Sequence, residues 1–243
     1  MIDEKAIEFE SEISILKGLD NDGIVKMHEA GKDGVCIGTN NKVFRENISY
    51  IVMDYEENEF FDFCVCMGAQ GEEAGKFFLH QLIDSIKYLH DQDIAHRDLK
   101  LENMLIDEDL NLKLVDFGLA VKSDIDNLTQ WCGTPCYAAP EIHRQVPYNA
   151  KKADIFSLGV ILFSIVVGRK PFDNATSSDY FYNLIKTNEV DAYFEFIQAK
   201  HLSPEFKDLI VRMLSYDSSS RPSIDEIRSH PWMCRNGIKI VEV

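Results

Sequence analysis

Three short segments of the sequence contain side chains that can accept a proton, neutralise an anion and bind a hard metal ion. The first, HRDLKLEN, occupies residues 96–103. The second, DFG, begins thirteen residues after Asn103 and occupies residues 116–118, and the third, APE, occupies residues 139–141. Carboxylate and amide oxygens are the ligands that Mg²⁺ prefers, and a lysine can stabilise negative charge on a transferring group. The order and spacing of these segments predict one catalytic site.

Two predicted strands must position the first two segments. Apolar alternation predicts strands at 104–106 and 112–115, separated by an acidic turn. This strand–turn–strand arrangement places Asn103 and Asp116 at facing strand ends, within reach of one metal cluster. The same alternation predicts that Asp116 lies on one face of its strand together with Leu112 and Leu114.

The rest of the chain is predicted to be mainly helical. An apolar stripe at helical spacing predicts the first helix and places Glu12 at the edge of its buried face; its members are Ile2, Ala6, Phe9, Ile13 and Leu16. The other predicted elements follow in chain order: helix 3–18, strand 24–30, a polar hairpin loop 31–49, strand 50–55, helix 75–91, a long loop 123–140 and a helical region 154–232.

Composition restricts the class of protein. The formal net charge of −16 over 243 residues argues against binding of nucleic acid or anionic lipid. It fits cationic partners, or solubility alone. The longest uncharged apolar run, 155–168, is too short for a membrane span. Six cysteines without C-x-x-C spacing indicate neither zinc nor a disulfide framework, and no signal peptide is visible, so we expect a reduced, intracellular, cytoplasmic protein.

The three ordered segments resemble those of the eukaryotic protein kinase domain. The likeness covers essentially the whole chain, from the αC helix of that family to the end of its C-terminal lobe. Lys100, two residues after Asp98, and GTPCY at 133–137 resemble the serine/threonine class. The overall pattern, including HPW at 230–232, is most similar to the calcium/calmodulin-dependent and Snf1-like group.

The resemblance implies an α+β, two-lobed fold. A small N-terminal lobe, consisting of αC and strands four and five of the family, would occupy residues 1–55. A hinge and connector would follow at 56–59, and a mainly helical C-terminal lobe at 60–243.

The resemblance also implies the catalytic roles. Asp98 would accept the proton of the attacking hydroxyl, and Lys100 would neutralise charge on the transferred phosphoryl group. Asn103 and Asp116 would hold Mg²⁺. Thr134 would bridge Asp98 and Lys100 through its hydroxyl.

A further set of residues is implied to bind ATP. Met53 would guard the back of the adenine pocket, and Leu105 would form its floor. Asp54, Tyr55 and Glu56 match the part of the hinge whose backbone groups would pair with adenine. The full implied set is Glu12, Met53, Asp54, Tyr55, Glu56, Glu102, Leu105 and Val115.

Structural supports are implied as well. Glu141 and Arg221 resemble a buried ion pair that anchors the long loop, and Asp154 resembles a residue that binds the backbone of the 96–103 segment. Four residues match a stacked apolar column that links the lobes: Leu16, Met27, His96 and Phe117.

One part of the family pattern does not occur in the sequence. There is no G-x-G-x-x-G segment, the chain begins inside the expected αC helix, and the lysine that pairs with Glu12 in the family would precede residue 1. Two hypotheses therefore stay open. The protein is either a serine/threonine kinase whose sequence is incomplete at its N-terminus, or a pseudokinase-like binding module.

Regulation and substrate preference are predicted from five positions. In such kinases, Arg97 pairs with a phosphate on the long loop, but the matching loop position is Gln130, which cannot be phosphorylated. Activity is therefore expected not to need loop phosphorylation. The alternative is that Thr129, one residue away, carries the phosphate in a shifted loop. Glu59 and Glu102 match acidic positions that bind an arginine upstream of the target serine, although Glu59 could instead cap the next helix. The expected partner is a protein substrate with upstream basic residues; the oligomeric state stays open.

Overall fold

Helices dominate the structure, a computed structural model that describes residues 4–37, 43–123 and 125–234, and strands make up most of the rest of its regular structure. Helix α1 (Glu4–Leu16) confirms the first predicted helix. The predicted α+β class is confirmed. The boundaries predicted for the lobes and the hinge stay predictions.

A long antiparallel hairpin follows α1. Strands β1 (Met27–Ile37) and β2 (Val43–Met53) pair through most of the segment that the sequence predicted as a loop, so that prediction is wrong outside the tip, which lies beyond the described residues. A Cβ at Gly31 or Gly34 would lie 2.8 Å from a carbon of the Tyr50 ring. These glycines allow the ring to lie against the opposite strand.

Two small sheets hold the segments that carry the chemistry. Their strands are β3 (Asn58–Glu59), β4 (Ile94–Ala95), β5 (Met104–Ile106), β6 (Leu112–Leu114) and β7 (Val121–Lys122). One sheet has the order β3-β5-β6, and β4 pairs with β7 in the other. The predicted strands at 104–106 and 112–115 are thus confirmed, and they pair antiparallel.

The remaining helices form the body of the protein. They are α2 (Phe60–Met67), α3 (Gly71–Asp91), α4 (Pro140–His143), α5 (Ala150–Val167), α6 (Tyr180–Lys186), α7 (Val190–Phe196), α8 (Pro204–Met213), α9 (Ile224–Arg228) and α10 (Pro231–Cys234). Helix α3 includes the predicted helix 75–91, and its apolar side chains at helical spacing are buried: Leu79, Leu82, Ile86 and Leu89. Within the described ranges, no helix is both long enough and apolar enough to span a membrane.

Helix α5 lies at the centre of this body. Residues 153–166 are buried without interruption, and the helix packs against α3 and α8. The side chain of Asn149 caps its first turn by accepting from the Lys152 backbone N–H, and Gly168 ends it in the left-handed conformation with φ of 76°. A helix that is apolar on all sides must be covered on all sides, which makes α5 a fixed support for the loops beside it.

Candidate active site

A buried carboxylate on α5 positions the 96–103 segment. One oxygen of Asp154 accepts from the His96 backbone N–H at 3.0 Å and lies 2.9 Å from Nε2 of His90, while the other accepts from the Arg97 N–H at 2.9 Å. Arg97 has φ of 65°, a strained conformation for a non-glycine residue. The hydrogen bonds that Asp154 accepts hold the backbone in this conformation, which presents Asp98 to the active-site side of the loop.

The side chains of Asp98, Lys100 and Thr134 form one hydrogen-bonded group. Nζ of Lys100 donates to Oδ2 of Asp98 at 2.6 Å and to Oγ1 of Thr134 at 3.1 Å. The Thr134 hydroxyl donates to Oδ1 of Asp98 at 2.9 Å. Gly133 precedes Thr134 with φ of 92°, and a Cβ there would lie 2.6 Å from the Arg97 carbonyl oxygen. Only glycine therefore lets the loop approach this closely.

Asn103 and Asp116 lie at neighbouring strand ends. Met104 pairs with Leu114, and the Val115 N–H donates to the Asn103 carbonyl at 3.1 Å. Nδ2 of Asn103 donates to Asp98, to its carbonyl oxygen at 3.0 Å and to Oδ2 at 3.3 Å. Because the amide nitrogen is used in this way, the side-chain oxygen of Asn103 is the atom available to a cation.

Asp116 departs from the predicted alternation. Leu112 and Leu114 are buried, but Asp116 is exposed and has φ of 63°. The prediction that it shares a face with the leucines is wrong, because β6 ends at Leu114 and the chain turns before Asp116. Its Oδ1 accepts from the Gly118 N–H at 3.3 Å, and its carboxylate faces the space beside Glu12.

Glu12 of α1 lies next to the 116–118 segment. Burial of its carboxyl group raises the pKa of Glu12, the negative charge of Asp116 raises it further, and a hydrogen bond from the Phe117 backbone lowers it. Two neighbouring acidic side chains are a suitable environment for a cation. This electrostatic arrangement, together with the oxygen of Asn103, fits a hard divalent cation such as Mg²⁺.

The residues of the predicted apolar column lie in the main core or against it, and their continuous stacking stays a prediction. Leu16 and Phe117 are buried in the main core, and Met27 packs against that core. The rings of His96 and Phe117 lie with their centroids 5.0 Å apart, and Nε2 of His96 lies 3.2 Å from the Val115 carbonyl oxygen.

The other predicted nucleotide-binding residues lie in two parts of the structure, around the end of β2 and around β5 and β6. Met53 and Tyr55 are exposed. Leu105 pairs with Glu59 in the three-stranded sheet, so it lies beside the segment that follows the hinge. Val115 lies between Asn103 and Asp116, next to the catalytic group.

The acidic hinge side chains have basic partners that the sequence analysis missed. Nζ of Lys113 donates to Glu56 at 2.6 Å, and the carboxylate of Asp54 lies 2.6 Å from Nε2 of His28. The hydrogen bond with His28 lowers the pKa of Asp54. The alternation along β6 was a signal for Lys113, since it must face away from the two buried leucines, but the sequence held no signal for His28.

A buried ion pair anchors the end of the long loop. Arg221, 1% exposed, donates to both carboxylate oxygens of Glu141, at 2.7 and 2.6 Å. It also donates to the carbonyl oxygens of Ser215 and Lys152. The anchor thereby joins the loop end to α5 and to the segment after α8.

The middle of the loop contacts Arg97. Nε of Arg97 donates to the Leu119 carbonyl at 2.6 Å, and NH1 of Arg97 donates to the side-chain oxygen of Gln130 at 3.4 Å. Tyr148, which the sequence analysis did not single out, donates its hydroxyl to the Gln130 carbonyl at 3.1 Å. Thr129 is exposed.

Comparison with known proteins finds similar chains among serine/threonine-protein kinases. The chain is 39% identical over 229 residues to testis-specific serine/threonine-protein kinase 1 of Mus musculus, covering 91% of this chain and 58% of that protein. It is 37% identical over 234 residues to the probable serine/threonine-protein kinase MARK-B of Dictyostelium discoideum, covering 93% and 30%. It is 38% identical over 228 residues to SNF1-related protein kinase catalytic subunit alpha KIN12 of Arabidopsis thaliana, covering 93% and 42%.

The chain thus spans between 30% and 58% of the length of these relatives. Their names confirm the predicted resemblance to the serine/threonine class and to the Snf1-like group. The family model described as "Protein kinase domain" matches residues 2–233. The chain therefore belongs to the protein kinase domain family.

Proposed function

We propose that the protein transfers the γ-phosphoryl group of ATP to serine or threonine hydroxyls of protein substrates. The observation that carries this proposal is the hydrogen-bonded group of Asp98, Lys100 and Thr134, in which a carboxylate and an ammonium group are in direct contact. The names of the relatives support the serine/threonine class.

Asp98 acts as the base in this proposal. Its carboxylate accepts the proton of the substrate hydroxyl, while Lys100 stabilises negative charge on the group in transfer. Asn103 and Asp116 hold Mg²⁺, which supplies positive charge to the phosphates of ATP when bound. The hydrogen bonds of Thr134 hold the side chains of Asp98 and Lys100 in fixed positions, so the carboxylate need not reorganise during the reaction.

The nucleotide site in this proposal lies between the hinge and β5. Leu105 and Val115 contribute apolar surface, and Met53 closes the back of the adenine pocket. Backbone groups of the hinge, Asp54 to Glu56, pair with adenine. Glu12 and Glu102 complete the proposed set of residues around ATP.

A phosphotransfer assay tests the proposed function. The full chain is incubated with Mg²⁺ and γ-labelled ATP, together with peptides that contain serine, threonine or tyrosine as the only acceptor. We expect label on serine and threonine, none on tyrosine, and a gain when arginine stands upstream of the acceptor, near Glu59 and Glu102. ATP binding without transfer to any peptide would contradict the proposal and favour the binding-module hypothesis.

Activity is also proposed not to depend on phosphorylation of the loop. The side-chain oxygen of Gln130 already accepts a hydrogen bond from Arg97, which reduces the need for a phosphate there. We expect Thr129→Ala to retain peptide phosphorylation within about twofold of the unchanged protein, since surface substitutions cost about 0.5 kcal/mol or less. Mass spectrometry of the loop should accompany the kinetics; loss of activity in Thr129→Ala, with phosphate on Thr129 of the parent, would contradict this proposal.

A further inference from the structure

A cavity of about 160 Å³ lies beside the proposed catalytic group, between α2 and the end of α5. Phe61, Val65 and Leu101 give it an apolar wall, and Tyr137 closes one side. Arg169 and Lys170, directly after the end of α5, also line it. The cavity therefore combines apolar surface with two basic side chains.

Neither basic side chain is neutralised by an acidic partner. Nζ of Lys170 lies 3.0 Å from Sγ of Cys136 and 5.5 Å from the centre of the Tyr137 ring, and Arg169 donates to the Ile197 carbonyl oxygen. Across the part of the chain that the structure describes, neither has a carboxylate within 4.0 Å. In a protein with net charge −16, two such neighbouring cations form a local site for an anion.

The cavity is close to the residues proposed to transfer phosphate. Leu101 directly follows Lys100, and Tyr137 is three residues after Thr134. The Tyr137 hydroxyl donates to Glu102 at 3.2 Å, which fixes the ring between the catalytic segment and Lys170. A substrate whose acceptor hydroxyl lies at Asp98 therefore places a residue near the acceptor in sequence over this cavity.

We propose that the cavity binds an acidic side chain of the protein substrate, carboxylate or phosphate, and that Lys170 determines this specificity; the inference rests on the proposed function. The apolar wall contacts the methylene groups of the substrate side chain, and Lys170 pairs with its charge. Glu102 adjoins this subsite through its hydrogen bond with the Tyr137 hydroxyl, whereas Lys170 lies over the Tyr137 ring, so one substrate can carry both a basic and an acidic determinant. Such complementarity acts mainly on the choice of partner.

Positional scanning with the full chain tests the inference. A serine peptide is varied at each position on both sides of the acceptor by glutamate, phosphoserine or arginine. We expect one position at which glutamate raises kcat/KM about fivefold, the magnitude of a partly exposed ion pair. Lys170→Glu should remove that gain and make arginine the preferred residue at the same position. A larger gain for phosphoserine than for glutamate would identify phosphate as the preferred group.

Lys200→Glu provides the matched control, because Lys200 is an exposed lysine whose ion pair, among the residues that the structure describes, is with the exposed Glu195. It makes the same change of charge and should leave the scan unaltered. An unchanged scan in Lys170→Glu, with the parent peptide still phosphorylated, would overturn this inference alone. If no peptide is phosphorylated, the proposed function fails, and fluorescence anisotropy of labelled glutamate and arginine peptides decides the subsite: equal binding by the unchanged chain and Lys170→Glu would overturn it.

Discussion

Asp98→Asn is expected to lower the rate of peptide phosphorylation by about 10²- to 10⁴-fold, the usual contribution of a general base. The amide keeps the shape of the carboxylate but cannot accept the proton of the substrate hydroxyl. Its oxygen can still accept one of the two hydrogen bonds that Lys100 and Thr134 donate to Asp98. The loss should therefore fall on kcat, with little change in the binding of the peptide.

Two controls separate this loss from misfolding. Asp109→Asn removes an exposed carboxylate from the turn between β5 and β6 and should leave kcat unchanged. The shift in unfolding temperature caused by Mg²⁺ and ATP should be retained in Asp98→Asn, because the substitution leaves Asn103 and Asp116 in place. A kcat within tenfold of the unchanged protein would show that Asp98 is not the base.

Glu141→Ala is expected to lower the free energy of unfolding by about 3–5 kcal/mol, since it leaves a charged guanidinium buried without its partner. Arg221 keeps its hydrogen bonds to the carbonyl oxygens of Ser215 and Lys152, but these do not neutralise its charge. Urea unfolding followed by fluorescence measures the change. Activity should fall as well, because the pair anchors the loop that contains Thr134.

Two further variants test the physical reason for this loss. Replacing both partners, Glu141→Leu with Arg221→Met, should recover much of the stability, because no unpaired charge remains. Arg212→Ala breaks an exposed pair with Asp208 and should cost about 1 kcal/mol or less. Equal losses for Glu141→Ala and Arg212→Ala would contradict the interpretation that burial of the charge dominates.

The sequence was most informative where function requires a particular residue type at a fixed spacing. The relative positions of Asp98, Lys100 and Asn103 follow from one short loop, and the antiparallel turn that brings Asp116 back is signalled by local alternation. The hydroxyl bridge from Thr134 could be anticipated only through the resemblance to the family. No local sequence pattern predicts a hydrogen bond between two residues that lie 36 positions apart in the sequence.

Features set by distant packing were not predictable. The hairpin extends through a polar, glycine-containing segment because Tyr50 lies against those glycines from the opposite strand, and strand pairing depends on that context more than on local preference. The basic partners of Asp54 and Glu56 are likewise distant in sequence, so only the folded structure identifies them. Lys170 had no recognisable pattern, since its importance comes from the cavity that it lines.

The uninterrupted burial of α5 has a consequence for synthesis of the protein. The helix leaves the ribosome before the residues that form α6 to α10, some of which must cover it. At about 5–20 residues per second, translation of residues 168–234 takes on the order of 3 to 13 s. During that time α3 can cover one side of α5, but the side that packs against α8 stays exposed, so we expect α5 to be a binding site for chaperones on the translating ribosome.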